Sequence, residues 1–304
     1  MVNDGALHGA QLRRLLIARV GRHQVNGDIE RGVLRRLWPG VLVPSERLLD
    51  PLTRASAALL AHGPHAVIGG PTAARLHGCT AIESADTHVV VPYGHPSRSR
   101  DGLAVHNGPL PDDDIDEMVG LRVLTLDRVV ADLLCTARPR DALATTDQAL
   151  AAQPAELREA FRAGLDRRLQ TRADPRGTRS AGRLLGLASG RAESPPESWL
   201  RLEIVDLGYP LPEVNWSIRD AAGVELYRLD LAWPDHRISI EYNGYAEHAG
   251  REIEDERRAV ELGRRGWIVI VATKDDLRDS RRLDQVLREA FECRGYRRQA
   301  AMPA

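Results

Sequence analysis

A chain of 304 residues with 43% hydrophobic content has material for two or three cores, and a formal net charge of -1 supplies no global field that would by itself attract a polyanion. The first residues carry no cationic stretch ahead of an apolar one. The longest uncharged run, 55 to 74, is broken by His62, Gly63, Pro64, His65, Gly69, Gly70 and Pro71, so neither a signal peptide nor a membrane span is expected, and the protein is expected in the cytoplasm without a membrane partner. Cys79, Cys135 and Cys293 lie far apart with no CxxC pair, which argues against a disulfide framework and a zinc site of cysteines.

Positive charge is almost all guanidinium, since Lys274 is the only lysine. A planar guanidinium suits phosphate, but a GC-rich genome gives the same bias, so composition leaves nucleic acid open as a partner.

From the N-terminus, Leu12, Leu15, Leu16 and Val20 stand at helical spacing within Gly9 to Val20, with Gly21 as the stop. A second short helix is predicted within His23 to Arg31. Val33 to Val43 reads as two extended runs around Pro39-Gly40, a hairpin. Helix, helix and hairpin together suggest a winged helix-turn-helix over residues 1–50. Up to Pro44, Arg13, Arg14, Arg19, Arg22, Arg31, Arg35 and Arg36 outnumber Asp4, Asp28 and Glu30. A phosphate-facing module requires such an excess, and a solvated arginine face also has it. Arg22, Arg31, Arg35 and Arg36 are the candidate DNA contacts here.

Leu34-Arg35-Arg36-Leu37-Trp38-Pro39-Gly40-Val41 and Gly70 to Gly78 (GPTAARLHG) resemble the antitoxin-like family of type IV abortive-infection (AbiE-type) systems. The likeness continues through Thr87 to Pro92, the basic loop Arg98-Ser99-Arg100, Val105-His106 and the helical stretch Leu126 to Ala151. It implies a winged helix that binds operator DNA, a helical and hairpin module over 51–169, and a toxin protein as a possible partner. The first helix looks shortened against that family. A further helical stretch, Pro154 to Leu169, precedes a region rich in Arg, Gly, Ser and Ala, 170–192, which reads as a linker with room for one short helix.

Ser194-Pro195-Pro196-Glu197 opens a helix to about Leu207, with Leu200 and Ile204 on its apolar stripe. Extended runs follow at Val214 to Ile218, Val224 to Leu231 and Arg237 to Tyr242, an antiparallel meander. A helix from about Arg251 to Arg264 leads to the apolar run Trp267 to Ala272, expected as a strand covered on both faces, and a last helix spans Arg281 to Phe291. Alternation puts Arg228 and Asp230 on one face with Arg237, Ser239 and Glu241, and gives Leu229, Leu231, Ile238, Ile240 and Tyr242 to the other. A two-residue turn at Pro234-Asp235 would pair Asp230 with Ser239, leaving Glu241 diagonally across at about 7 to 8 Å. Two carboxylates aimed at one spot fit a hard divalent cation. The same register sets Arg228 opposite Glu241 as a simple ion pair, and spacing alone leaves both readings open.

The order helix, three strands, helix, strand, together with Glu193 to Ser198 (ESPPES), Glu241 to His248 (EYNGYAEH), Asp255, Arg258, Leu262 and Gly266-Trp267, is similar to very-short-patch-repair endonucleases of the PD-(D/E)XK superfamily. The resemblance covers the nuclease-like domain, taken as 193–292 with a tail at 293–304. It implies an α+β multidomain protein with magnesium or manganese held by Asp230, Glu241 and the Tyr242 carbonyl. It also implies His248 on the phosphate or in proton transfer, and Glu197 in support. Ser194 and Glu197 read equally as a capping box, and His248 as an ordinary loop histidine. Asn243 stands where the motif usually has lysine, so His248, Arg257 or Arg258 would have to substitute; Arg258 is the further candidate for DNA contact. The expected function is a metal-dependent DNA endonuclease carried to its substrate by the N-terminal region. The alternative is an antitoxin-like repressor whose nuclease-fold domain is inactive, and RNA or branched DNA stays open as substrate.

Overall fold

The computed structural model describes residues 6–95, 97–243 and 252–296. The protein is α+β: the described residues form eleven α-helices and three sheets. None of these helices is long and apolar enough to cross a membrane. The chain divides into two compact units, Met1–Thr136 with Arg167–Pro175, and Ala137–Asp166 with Arg176–Ala304.

The first unit begins with β1 (Ala6–Leu7), β2 (Ala10–Leu12), α1 (Arg13–Val20), α2 (Arg22–Glu30), β3 (Leu34–Trp38) and β4 (Val41–Pro44), in the sheet order β1-β2-β4-β3. The predicted first helix loses its opening residues to β2, because Gln11 and Leu12 pair with Leu42 and Val41 of β4. Sheet pairing overrides helical spacing there. Gly21 ends α1 with φ at 85°, its N–H bonded to the Ile17 carbonyl. Leu16, Val25 and Leu42 close a small core beneath the two helices.

Asp50 caps α3 (Pro51–His62) by accepting the Thr53 N–H at 2.8 Å. Then come β5 (Val67–Ile68), α4 (Gly70–Leu76), β6 (Thr87–Val91), β7 (Leu103–Asn107), β8 (Ile115–Met118), β9 (Leu121–Leu124) and α5 (Leu126–Thr136). These strands make a mixed sheet, β7-β6-β5-β9-β8. Arg168 bonds Asp114 and Asp127, and Arg172 bonds Asp132, so ion pairs hold 167–175 onto this unit.

The second unit contains α6 (Pro139–Ala151), α7 (Arg158–Gln170, crossing the boundary at 166), α8 (Thr178–Leu187) and α9 (Pro195–Asp206). It continues through β10 (Glu213–Arg219), β11 (Glu225–Trp233), β12 (Ile238–Asn243), α10 (Glu252–Arg264), β13 (Ile268–Thr273) and α11 (Arg281–Cys293). The stretch 126–151 is two helices, since Pro139 starts a new one. Residues 170–192, expected as a linker, carry α8, whose Ala181, Leu184 and Leu185 are buried.

The sheet order is β10-β11-β12-β13, antiparallel up to β12 and parallel between β12 and β13, with α10 in the connection. Leu200 and Ile204 of α9, Leu283, Leu287 and Phe291 of α11, and Leu231, Ile238, Ile240 and Ile270 of the sheet share one core. Leu229, Ala232 and Leu262 form a second. Leu229 therefore parts from Leu231, with which alternation grouped it. Nor is β13 covered on both faces. As an edge strand it leaves Val271 47% exposed.

Candidate active site

No two-residue turn joins β11 to β12. Pro234–His236 forms a 3-10 turn, closed by Arg237 at φ 48°, and the longer connection shifts the register. Ala232 pairs with Ser239 and Leu231 with Ile240, where the ladder ends, so Asp230 and Glu241 are the next residues on their strands and Asp230 does not pair with Ser239 as predicted.

Asp230 accepts the Tyr242 backbone N–H at 2.9 Å, which ties it to the strand that carries Glu241. Glu241 places Oε2 3.0 Å from Nη2 of Arg258, which arrives from α10 and also donates to the Arg228 carbonyl. The other oxygen, Oε1, is buried with no hydrogen-bond partner among the described residues. Arg228, which the predicted register left open as an ion-pair partner for Glu241, pairs instead with Glu193 and Glu225 at 2.9 Å each.

Burial, and then repulsion from Asp230, push the Glu241 carboxyl up to about 8; Arg258 offsets this in part and the charge of Glu197 adds to it. Burial also raises Asp230, against the pull of the Tyr242 N–H and Arg258. Glu197 is raised by burial, lowered by its local hydrogen bonds and raised again by Asp230. Three carboxylates thus sit in one another's field with a single guanidinium bonded among them in the described residues, which leaves these side chains short of positive charge.

Glu197 is engaged locally. Its Oε2 accepts the Glu193 N–H at 2.9 Å and its Oε1 accepts the Ser194 hydroxyl at 2.7 Å. This is a capping arrangement displaced by one residue, with Ser194 donating rather than capping. Glu197 therefore acts on the other carboxylates through charge. Arg258, a candidate for DNA contact, is committed to Glu241. Arg31 is committed as well, to Asp28 at 2.6 Å. Arg22 opens α2, and Arg35 and Arg36 lie on β3, all three exposed. Arg257 is exposed on α10, and Asn243 ends β12 beside Thr273. His248 lies outside the described residues.

The buried neighbour of this site went unread in the sequence. Asp147 of α6, fully buried, accepts the Ser189 N–H at 2.7 Å, the Gly190 N–H at 3.1 Å and the Ser198 hydroxyl at 2.5 Å, and pairs with Arg201. Ser198 and Arg201 stand on α9 beside Glu197. Polar residues at 197, 198 and 201 share one helical face, and that stripe was the available signal.

Among the described residues no group of three or more His, Cys, Asp or Glu side chains is disposed to hold a metal ion. Two carboxylates with one orphaned oxygen still fit a small hard cation, because magnesium commonly takes only one or two protein carboxylates and fills its sphere with water and phosphate oxygens. Charge deficit and orphaned oxygen are what such an ion would satisfy.

No family model matches the chain. Two Mycobacterium tuberculosis proteins do: the uncharacterised protein MT2308 of strain CDC 1551 / Oshkosh and the uncharacterised protein Rv2248 of strain ATCC 25618 / H37Rv. Each is 34% identical over 272 residues, an alignment spanning 84% of this chain and 92% of the relative.

Proposed function

The chain belongs to the family of these two mycobacterial proteins, and from that premise we propose that it is a metal-dependent DNA endonuclease whose N-terminal region binds DNA. The observation that carries the proposal is Oε1 of Glu241, buried and without a hydrogen-bond partner among the described residues, on a carboxylate that feels the charge of Asp230. The helix, three strands, helix and strand of the second unit support a PD-(D/E)XK core, in which such a carboxylate pair is the catalytic centre. The run β2, α1, α2, β3, β4 with sheet order β2-β4-β3 supports a winged helix-turn-helix.

In this reading Asp230 and Glu241 hold magnesium or manganese. The ion, when bound, supplies an acidified water and a positive charge against the scissile phosphate. Asp230 is steadied by the Tyr242 N–H, so its second oxygen keeps a fixed direction. Arg258 stands where its guanidinium can turn from Glu241 to a phosphate oxygen and stabilise the charge that builds there, the role a lysine at Asn243 would otherwise fill. Arg22, Arg35 and Arg36 contact the DNA backbone. Incubating the purified protein with supercoiled plasmid and magnesium tests the proposal. Nicking by the wild type and none by Asp230→Ala is expected; equal activity in both overturns it.

A second reading keeps the fold and drops the activity, leaving a DNA-binding, antitoxin-like repressor with a toxin protein as partner. Asn243 and the occupation of Glu241 Oε2 by Arg258 favour it. Footprinting of the protein's own promoter without cleavage is the result it requires.

A further inference from the structure

The first unit contains a second cluster of metal-binding side chains that the nuclease reading does not use. His88 on β6 and His106 on the neighbouring parallel strand β7 lie diagonally across the ladder, since Val90 pairs with His106 and His88 with Ala104. Their ring centroids are 5.3 Å apart and their planes 11° apart, so the two rings lie end to end. His88 Nδ1 and His106 Nε2 face each other at 3.0 Å.

Ser84 provides an oxygen partner for the outward nitrogen of His88. Its hydroxyl lies 3.2 Å from the Asp86 carbonyl and 2.9 Å from His88 Nε2. When the hydroxyl donates to that carbonyl, its oxygen accepts the Nε2 hydrogen of His88 and Nδ1 is left unprotonated, the tautomer that a metal at Nδ1 requires. An outward N–H held by an oxygen partner is the arrangement that orients histidine ligands in metal sites. Space is provided from the other side: a Cβ on Gly70 would stand 3.3 Å from His88 Nδ1, and glycine leaves that approach clear.

We propose that His88 and His106 form a binding site for a borderline divalent transition metal, zinc being the representative ion. With zinc–nitrogen bonds of about 2.0 to 2.1 Å at a tetrahedral angle, the two nitrogens stand roughly 3.3 Å apart. The nitrogens part by only a few tenths of an ångström, while each ring pivots by roughly 35° so that its lone pair turns from the other nitrogen toward the ion. His106 moves its hydrogen from Nε2 to Nδ1, so both lone pairs face the ion and no net proton is exchanged. Water or a small anion fills the remaining positions. Imidazole selects zinc, nickel or copper over magnesium, so this site and the carboxylate pair are chemically distinct.

The test is a calorimetric zinc titration of the tag-free full-length chain carrying Asp230→Ala, which removes the carboxylate site as a competitor. One zinc per chain is expected, with affinity falling at least tenfold in His106→Ala and about tenfold in Ser84→Ala. His106 is exposed, so its replacement leaves the core intact; unchanged thermal unfolding of that variant is the control. Absence of zinc uptake, or equal uptake by His106→Ala, overturns the proposal. Neither outcome bears on the nuclease reading, which the plasmid assay tests separately.

Discussion

Arg258 approaches Glu241 to 3.0 Å and satisfies only one of its two carboxylate oxygens. That half-satisfied pair makes the site responsive to pH. A carboxyl whose folded value is about 8 binds a proton more tightly than it does in the unfolded chain, where the ordinary value is 4.5. Its contribution to stability is fully present below pH 4.5 and is lost as the pH rises toward about 8. In EDTA, the urea-unfolding free energy of the wild type is expected to fall across that window relative to Glu241→Gln, by up to about 1.4 kcal/mol per pH unit. A constant difference between the two proteins from pH 5 to 8 would count against the buried, repelled carboxyl.

Arg258→Met separates charge neutralisation from catalysis. Removing the guanidinium leaves the two carboxylates more eager for a cation, so manganese affinity is expected to hold or tighten. Plasmid nicking is expected to drop by at least about tenfold, because the charge on the phosphate loses its protein partner. Parallel losses in binding and nicking would instead make Arg258 a support of the metal site.

The Asp147–Arg201 pair is 0% and 1% exposed, so cutting one partner strands a buried charge. Asp147→Ala is expected to destabilise the second unit by about 3 to 5 kcal/mol, whereas Asp147→Leu with Arg201→Met recovers only part of the loss, because the Ser189 and Gly190 N–H groups and the Ser198 hydroxyl still lose their acceptor. Urea denaturation followed by tryptophan fluorescence reports this. A single variant as stable as the wild type would remove the pair from the account of how α9 is fixed.

DNA binding by the first unit should be electrostatic and uneven among its arginines. Arg35→Ala and Arg36→Ala are each expected to reduce the slope of log affinity against log salt by about 1. Arg31→Ala should change it little, because Asp28 already neutralises that side chain. Fluorescence anisotropy at several salt concentrations distinguishes these cases.

The second unit was legible because its patterns are local: Ser194 to Glu197 starts α9, period-two alternation marks the three strands, and Gly266 separates α10 from β13. Register was less legible. It depends on how many residues the Pro234 turn consumes, and a 3-10 turn in place of a tight one moved the partner of Leu231 from Ile238 to Ile240. Long-range pairing was invisible for the same reason. Nothing near Asp147 in the sequence announces that Arg201 is its partner, and nothing in Gly9 to Leu12 announces that β4 draws those residues into a sheet.

The claim that Asp230 and Glu241 hold a divalent cation is tested most directly by titrating manganese into metal-free protein at pH 8 and following the heat. One ion per chain in the wild type, with binding abolished in Glu241→Gln and in Asp230→Ala, is the predicted result. Wild-type protein that takes up no ion, or variants that take it up unchanged, would contradict it.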